Sequence, residues 1–87
     1  MKPLVLPQIS LNGSPKSRLV EQQSDVLAAI RALKDAMSEA YPNGRDYQYR
    51  PAEYPPAREA WEERMKFIHD LGNEIEAHAI AIDESAK

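Results

Sequence analysis

Apolar residues recur at helical spacing over two long stretches of this chain, with polar residues between them. In the first stretch Leu19, Val26, Ile30, Leu33, Met37 and Tyr41 step by 7, 4, 3, 4 and 4, which is one face of a helix. Val20 and Leu27 widen the stripe, and Ala28, Ala29, Ala32 and Ala36 add helix propensity without bulk. In the second stretch Trp61, Met65, Ile68, Gly72, Ile75, Ala79 and Ile82 step by 4, 3, 4, 3, 4 and 3, the spacing of a coiled-coil seam, and Phe67, Leu71 and His78 flank it. A mid-helix glycine costs about 1 kcal/mol against alanine. Gly72 on the seam therefore predicts that another backbone passes close to it.

The punctuation between the stretches sets the boundaries. Asn12-Gly13-Ser14-Pro15 predicts a helix over residues 15–40, with Ser14 as N-cap and Pro15 at the first helical position, where its missing N–H is no loss. Tyr41-Pro42-Asn43-Gly44 predicts its end, because Pro42 disfavours α geometry in the residue before it and Gly44 permits positive φ. A loop over 42–55 follows, then a helix over 56–84 that starts at Pro55-Pro56. Residues 1–13 read as extended, since Pro3 and Pro7 disfavour helix. Ile9 and Leu11 alternate with Gln8, Ser10 and Asn12, the pattern of a short half-buried edge strand or a strap over the helices. The predicted fold class is all-α: an antiparallel two-helix hairpin (14–87) with an extended N-terminal segment (1–13), forming a single domain. The apolar stripes are broader than one seam covers, which predicts assembly as a homo-oligomer.

Composition narrows the function classes. At 87 residues the chain holds one domain at most. It has no Cys, hence no disulfide framework and no thiolate metal site. Nothing approaches 18 consecutive apolar residues, so no membrane span is expected, and the three-residue apolar run Leu4-Val5-Leu6 is too short for a signal peptide. The net charge of −3 argues against long nucleic acid as a partner. Residues 1–34 carry +3, residues 35–58 carry −1 and residues 59–87 carry −5, so the two helices attract if they lie side by side.

Two segments carry candidate chemistry. The first is the start of the first helix, Asn12, Gly13, Ser14, Lys16 and Arg18: free backbone N–H groups, a partial positive charge and two cations suit an anion, whereas plain capping with solvated cations is the bland alternative. The second is the loop, longer than a bare helix connection needs, where Asn43, Gly44, Arg45, Asp46, Tyr47, Tyr49 and Arg50 combine Arg forks with aromatic faces. Its alternative is a self-packed loop, with Tyr47 over the helix ends and Asp46 paired to Arg45. Asp70, Glu74 and His78 share a helix face but read as a solvated acidic surface, and Trp61 reads as core. No nucleophile elbow, phosphate loop or HExxH motif is present, so neither an enzyme nor a cofactor or metal is expected. Along a hairpin the two segments lie at opposite ends, so only neighbouring subunits bring them into one pocket, one that would suit a nucleotide-like ligand.

Leu11-Asn12-Gly13-Ser14 and Pro42-Asn43-Gly44-Arg45-Asp46-Tyr47 resemble motifs of a group of small, mostly uncharacterised proteins of tailed phages and prophages. The likeness covers most of the chain; Gln48 stands where another Tyr is expected, and Pro15 directly follows the cap. The resemblance implies a phage origin and expression in the host cytoplasm. Two functions follow as expectations. One is a phage accessory protein that sequesters a cyclic nucleotide or related small anionic signal of host immunity between subunits. The other is a helical adaptor or inhibitor that binds a host or virion protein.

Overall fold

The computed structural model describes residues 1–85. Two helices dominate: α1, Lys16–Glu39, and α2, Tyr54–Glu84, joined by two single-turn 3₁₀ helices, Gly44–Tyr47 and Pro51–Glu53. The helices lie antiparallel in a rod of 62 × 22 × 17 Å. Contacts fix their register: Lys16 at the start of α1 reaches Asp83 and Ser85 at the end of α2, Ile30 meets Gly72 at mid-length, and Met37 meets Trp61 near the tip.

On α2 the inward positions are those the pattern predicts. Trp61, Met65, Ile68, Gly72 and Ile75 are half-buried, and Ala79 and Ile82 are buried. On α1 Leu19, Ile30, Met37 and Tyr41 lie inward as predicted, as do Val20 and Leu27, which widen the stripe. The seam positions, which Leu19 flanks as a further half-buried residue, are Lys16, Val20, Gln23, Leu27, Ile30, Lys34, Met37 and, just past the helix, Tyr41. These step by 4 and 3 in alternation, a true seam spacing, but three of them are polar. Val26 and Leu33, expected inside, are 41% and 44% exposed on one edge of the rod. The predicted face took in Val26 and Leu33 from the neighbouring row because the seam positions beside them carry Gln23 and Lys34.

Other boundaries shift by a residue or two. Ser14 is not the N-cap: Pro15 holds that position in an extended conformation (φ −66, ψ 153), without a side-chain cap, and its carbonyl accepts from the N–H groups of Arg18 and Leu19. Proline pre-set to φ near −65 is as compatible with the extended region as with helix, so α1 begins one residue later than predicted. α2 starts at Tyr54, with Pro55 and Pro56 in its first turn. No glycine among the described residues has positive φ, Gly44 included, because 3₁₀ turns rather than a left-handed residue make the bend. Gly72 faces a side chain instead of a backbone: a Cβ there would lie 3.4 Å from Ile30 Cγ2.

Residues 1–10 are extended, residues 11–13 turn, and neither part forms a strand among the described residues. Pro7 and Ile9 are half-buried, but Leu11 is fully exposed, so the predicted alternation of Ile9 and Leu11 is not realised. A turn closed by the Gly13 N–H donating to Ser10 O at 3.3 Å swings Leu11 outward.

Candidate functional site

The hairpin tip gathers seven of the predicted residues: Asn43, Gly44, Arg45, Asp46, Tyr47, Tyr49 and Arg50. The Asn43 side chain accepts from Arg45 N–H at 3.0 Å, and Asp46 N–H donates to Asn43 O, so the turn is closed by its own first residue. Tyr47 packs on Tyr54 with ring centroids 5.8 Å apart, and the Arg58 guanidinium lies 5.4 Å above the Tyr54 ring. Gly44 faces the same Tyr54 ring. Arg50 pairs with Glu53 at 3.4 Å, in the open. No ion pair joins Asp46 to Arg45 among the described residues. The tip is thus self-supporting, and Tyr54 and Arg58, neither of them among the predicted site residues, are its platform. Arg45 makes no side-chain hydrogen bond or ion pair among the described residues, and Tyr49 is 99% exposed.

The other five residues, Asn12, Gly13, Ser14, Lys16 and Arg18, lie at the open end. The length of α1, about 36 Å at 1.5 Å per residue, separates them from the tip, so one chain does not bring the two groups together. Lys16 already has a task. Its ammonium donates to Asp83 O at 3.0 Å and to Ser85 O at 3.1 Å, satisfying carbonyls at the negative end of the α2 dipole. A cation in the first turn of α1 is unfavourable for α1 but favourable for the end of α2 beside it. Arg18 is exposed.

Near the tip the reciprocal cap appears. Trp61 Nε1 donates to Met37 O at 2.9 Å, one of the last carbonyls of α1. Tyr41 donates its hydroxyl to the Glu62 carboxylate; that hydrogen bond, followed by burial and the Glu62 charge, raises the Tyr41 phenol above its usual range. On the outer face of α2 the Lys66 ammonium, 2.8 Å away, holds the Asp70 carboxyl below its usual range.

At mid-length lies a shallow pocket of about 100 Å³, lined by Arg31 and Lys34 of α1 and His69, Asn73 and Glu76 of α2 over a floor of Leu27, Ile30 and Gly72. Lys34 Nζ sits 3.0 Å from His69 Nδ1, within hydrogen-bond distance. The signal for this contact was Lys34 at a seam position, legible only once the seam is counted by strict 4–3 steps. Among the described residues no three or more of His, Asp and Glu converge as metal ligands, and no helix is long and apolar enough to cross a membrane. No protein-family model, curated protein or solved structure matches this chain.

Proposed function

We propose that this chain is a non-enzymatic binding protein whose recognition element is the hairpin tip, acting as an adaptor or inhibitor on a host or virion protein. The observation that carries this reading is the division of labour at the tip. Asn43, Tyr47, Tyr54 and Arg58 hold the turn without help, while Arg45 and Tyr49 project from it. An exposed Arg and Tyr on a preformed scaffold are the residue types that dominate interface energetics, and a preformed scaffold lowers the ordering cost of binding. The tip is convex, which suits a protein surface with acidic groups. The motif resemblance supports a phage setting and the host cytoplasm. Affinity capture with the wild-type chain and with Arg45→Ala and Tyr49→Ala tests it: a stoichiometric partner that both variants lose supports the reading, and a partner that both retain contradicts it.

A second reading is favoured by two exposed arginines, Arg18 and Arg45, that carry no carboxylate partner among the described residues. Brought together from neighbouring subunits, they and Tyr49 would hold a cyclic nucleotide or similar small anion in a shared pocket and sequester it. Calorimetric titration with cyclic di- and trinucleotides decides this one. Binding lost in Arg18→Ala and in Arg45→Ala supports it, and silence at high micromolar ligand contradicts it.

A further inference from the structure

One edge of the hairpin carries very little charge. The pocket places Arg31, His69 and Glu76 on the opposite edge. At 3.6 residues per turn, Leu19, Val26 and Leu33 of α1 and Phe67 and Leu71 of α2 then fall together across the seam from them. Val26, Leu33 and Phe67 are 41%, 44% and 53% exposed. Exposed alanines, Ala29 and Ala36 on α1 and Ala60 and Ala81 on α2, fill much of the row beside them, with Gln22 at its far end on α1. Arg64 and Glu74 put full charges on this edge, and half-buried His78, one heptad on from Leu71, adds an imidazole that would face the alanine row of a docked second copy. Arg64 donates to Ala60 O at 3.0 Å and lies 3.7 Å from Glu63, with 62% of its side chain exposed. Glu74 has no ion-pair partner among the described residues.

The spacing of these groups is the informative part. Arg64 and Glu74 lie five residues either side of position 69, and Phe67 and Leu71 lie two either side of it. We propose that a second copy of this chain docks on this edge through a two-fold axis crossing the rod near residue 69. α2 then runs antiparallel to the partner's α2, Arg64 meets the partner's Glu74, Phe67 meets the partner's Leu71, and each contact occurs twice. The other two-fold that covers the same edge runs along the rod. It sets α2 over the partner's α1, where Arg64 and Glu74 would face alanine rows and be buried without partners, a costly arrangement. The available area is sufficient: about 46 Å of α2 on α2 and about 20 Å of α1 on α1, each about 10 Å wide, give about 660 Å² per copy, near the roughly 800 Å² of a standard interface. Antiparallel pairing also carries each tip towards the open end of the other copy. The pairing does not depend on what the tip binds.

Sedimentation velocity of the full chain at micromolar concentration tests the proposal, with circular dichroism confirming that each variant remains helical. The wild type sediments as a dimer. Arg64→Glu and Glu74→Arg each weaken it by about tenfold or more, and the double reversal Arg64→Glu/Glu74→Arg restores it. A helical wild-type monomer, including one that enlarges only with a foreign protein, overturns the proposal, as does a double reversal no better than either single. Orientation is read by nitroxide labels on Tyr49→Cys. Antiparallel copies hold the labels about 50 Å or more apart by helix rise, and a separation below about 30 Å overturns the antiparallel arrangement.

Discussion

Lys16 shows how a single side chain changes meaning between sequence and structure. Read along the chain it is a cation at a helix start, unfavourable for that helix and so suggestive of an anionic ligand. In the fold it caps α2, through Asp83 O and Ser85 O. Lys16→Met keeps the aliphatic stem and removes both donors, and should lower stability by about 1 kcal/mol, read as a lower urea midpoint with unchanged slope. A role in ligand binding alone would leave the midpoint unmoved. Tyr41 gives a pH signature. Its pKa is raised by donation to Glu62, so the hydrogen bond contributes fully below the unfolded value of about 10 and is lost as pH rises through the higher folded value. The stability gap between wild type and Tyr41→Phe should therefore hold at neutral pH and narrow as pH rises above about 10. A gap that persists there would show that packing rather than the hydroxyl carries the effect.

The two helices differ in how much of them could be read. On α2 every seam position from Trp61 to Ile82 is apolar or glycine, so the 4–3 rhythm is unbroken and the inward face was legible to the residue. On α1 the same rhythm passes through Lys16, Gln23 and Lys34, whose long stems lie along the seam while their polar ends reach out of it. The row Leu19, Val26, Leu33 beside it is wholly apolar, so the apolar pattern merged it with the seam positions Val20, Leu27, Ile30, Met37 and Tyr41. The tip motif was legible as a special loop, but its bracing was not, because Tyr54 and Arg58 belong to the first turn of α2 and act only through the bend. Gly72 offers a test at this scale. The nearest atom to an added methyl is Ile30 Cγ2 at 3.4 Å, a tight but yielding side-chain contact. Gly72→Ala should be neutral or stabilising by up to about 1 kcal/mol from helix propensity, measured by thermal or urea unfolding. A loss of stability would mean that the helices need the closer approach the sequence suggested.

As a whole molecule the hairpin has little interior of its own. Ile30, Ala79 and Ile82 alone are buried among the described residues, and larger apolar side chains line one edge. The basic first third and acidic last third do lie side by side, yet all three ion pairs among the described residues are local in sequence, so helix pairing rests on the seam and the reciprocal caps. The broad stripes that pointed to self-association in the sequence correspond to this uncovered edge, although which face it was depended on the true register of α1. If a second copy completes the core, folding and association are linked, and stability must depend on concentration. Thermal unfolding followed at a series of protein concentrations spanning about a hundredfold tests this most directly. The wild-type midpoint should climb steadily with concentration, and Leu33→Glu should show a lower, concentration-independent midpoint. A single sharp wild-type midpoint, the same at every concentration, would contradict that linkage.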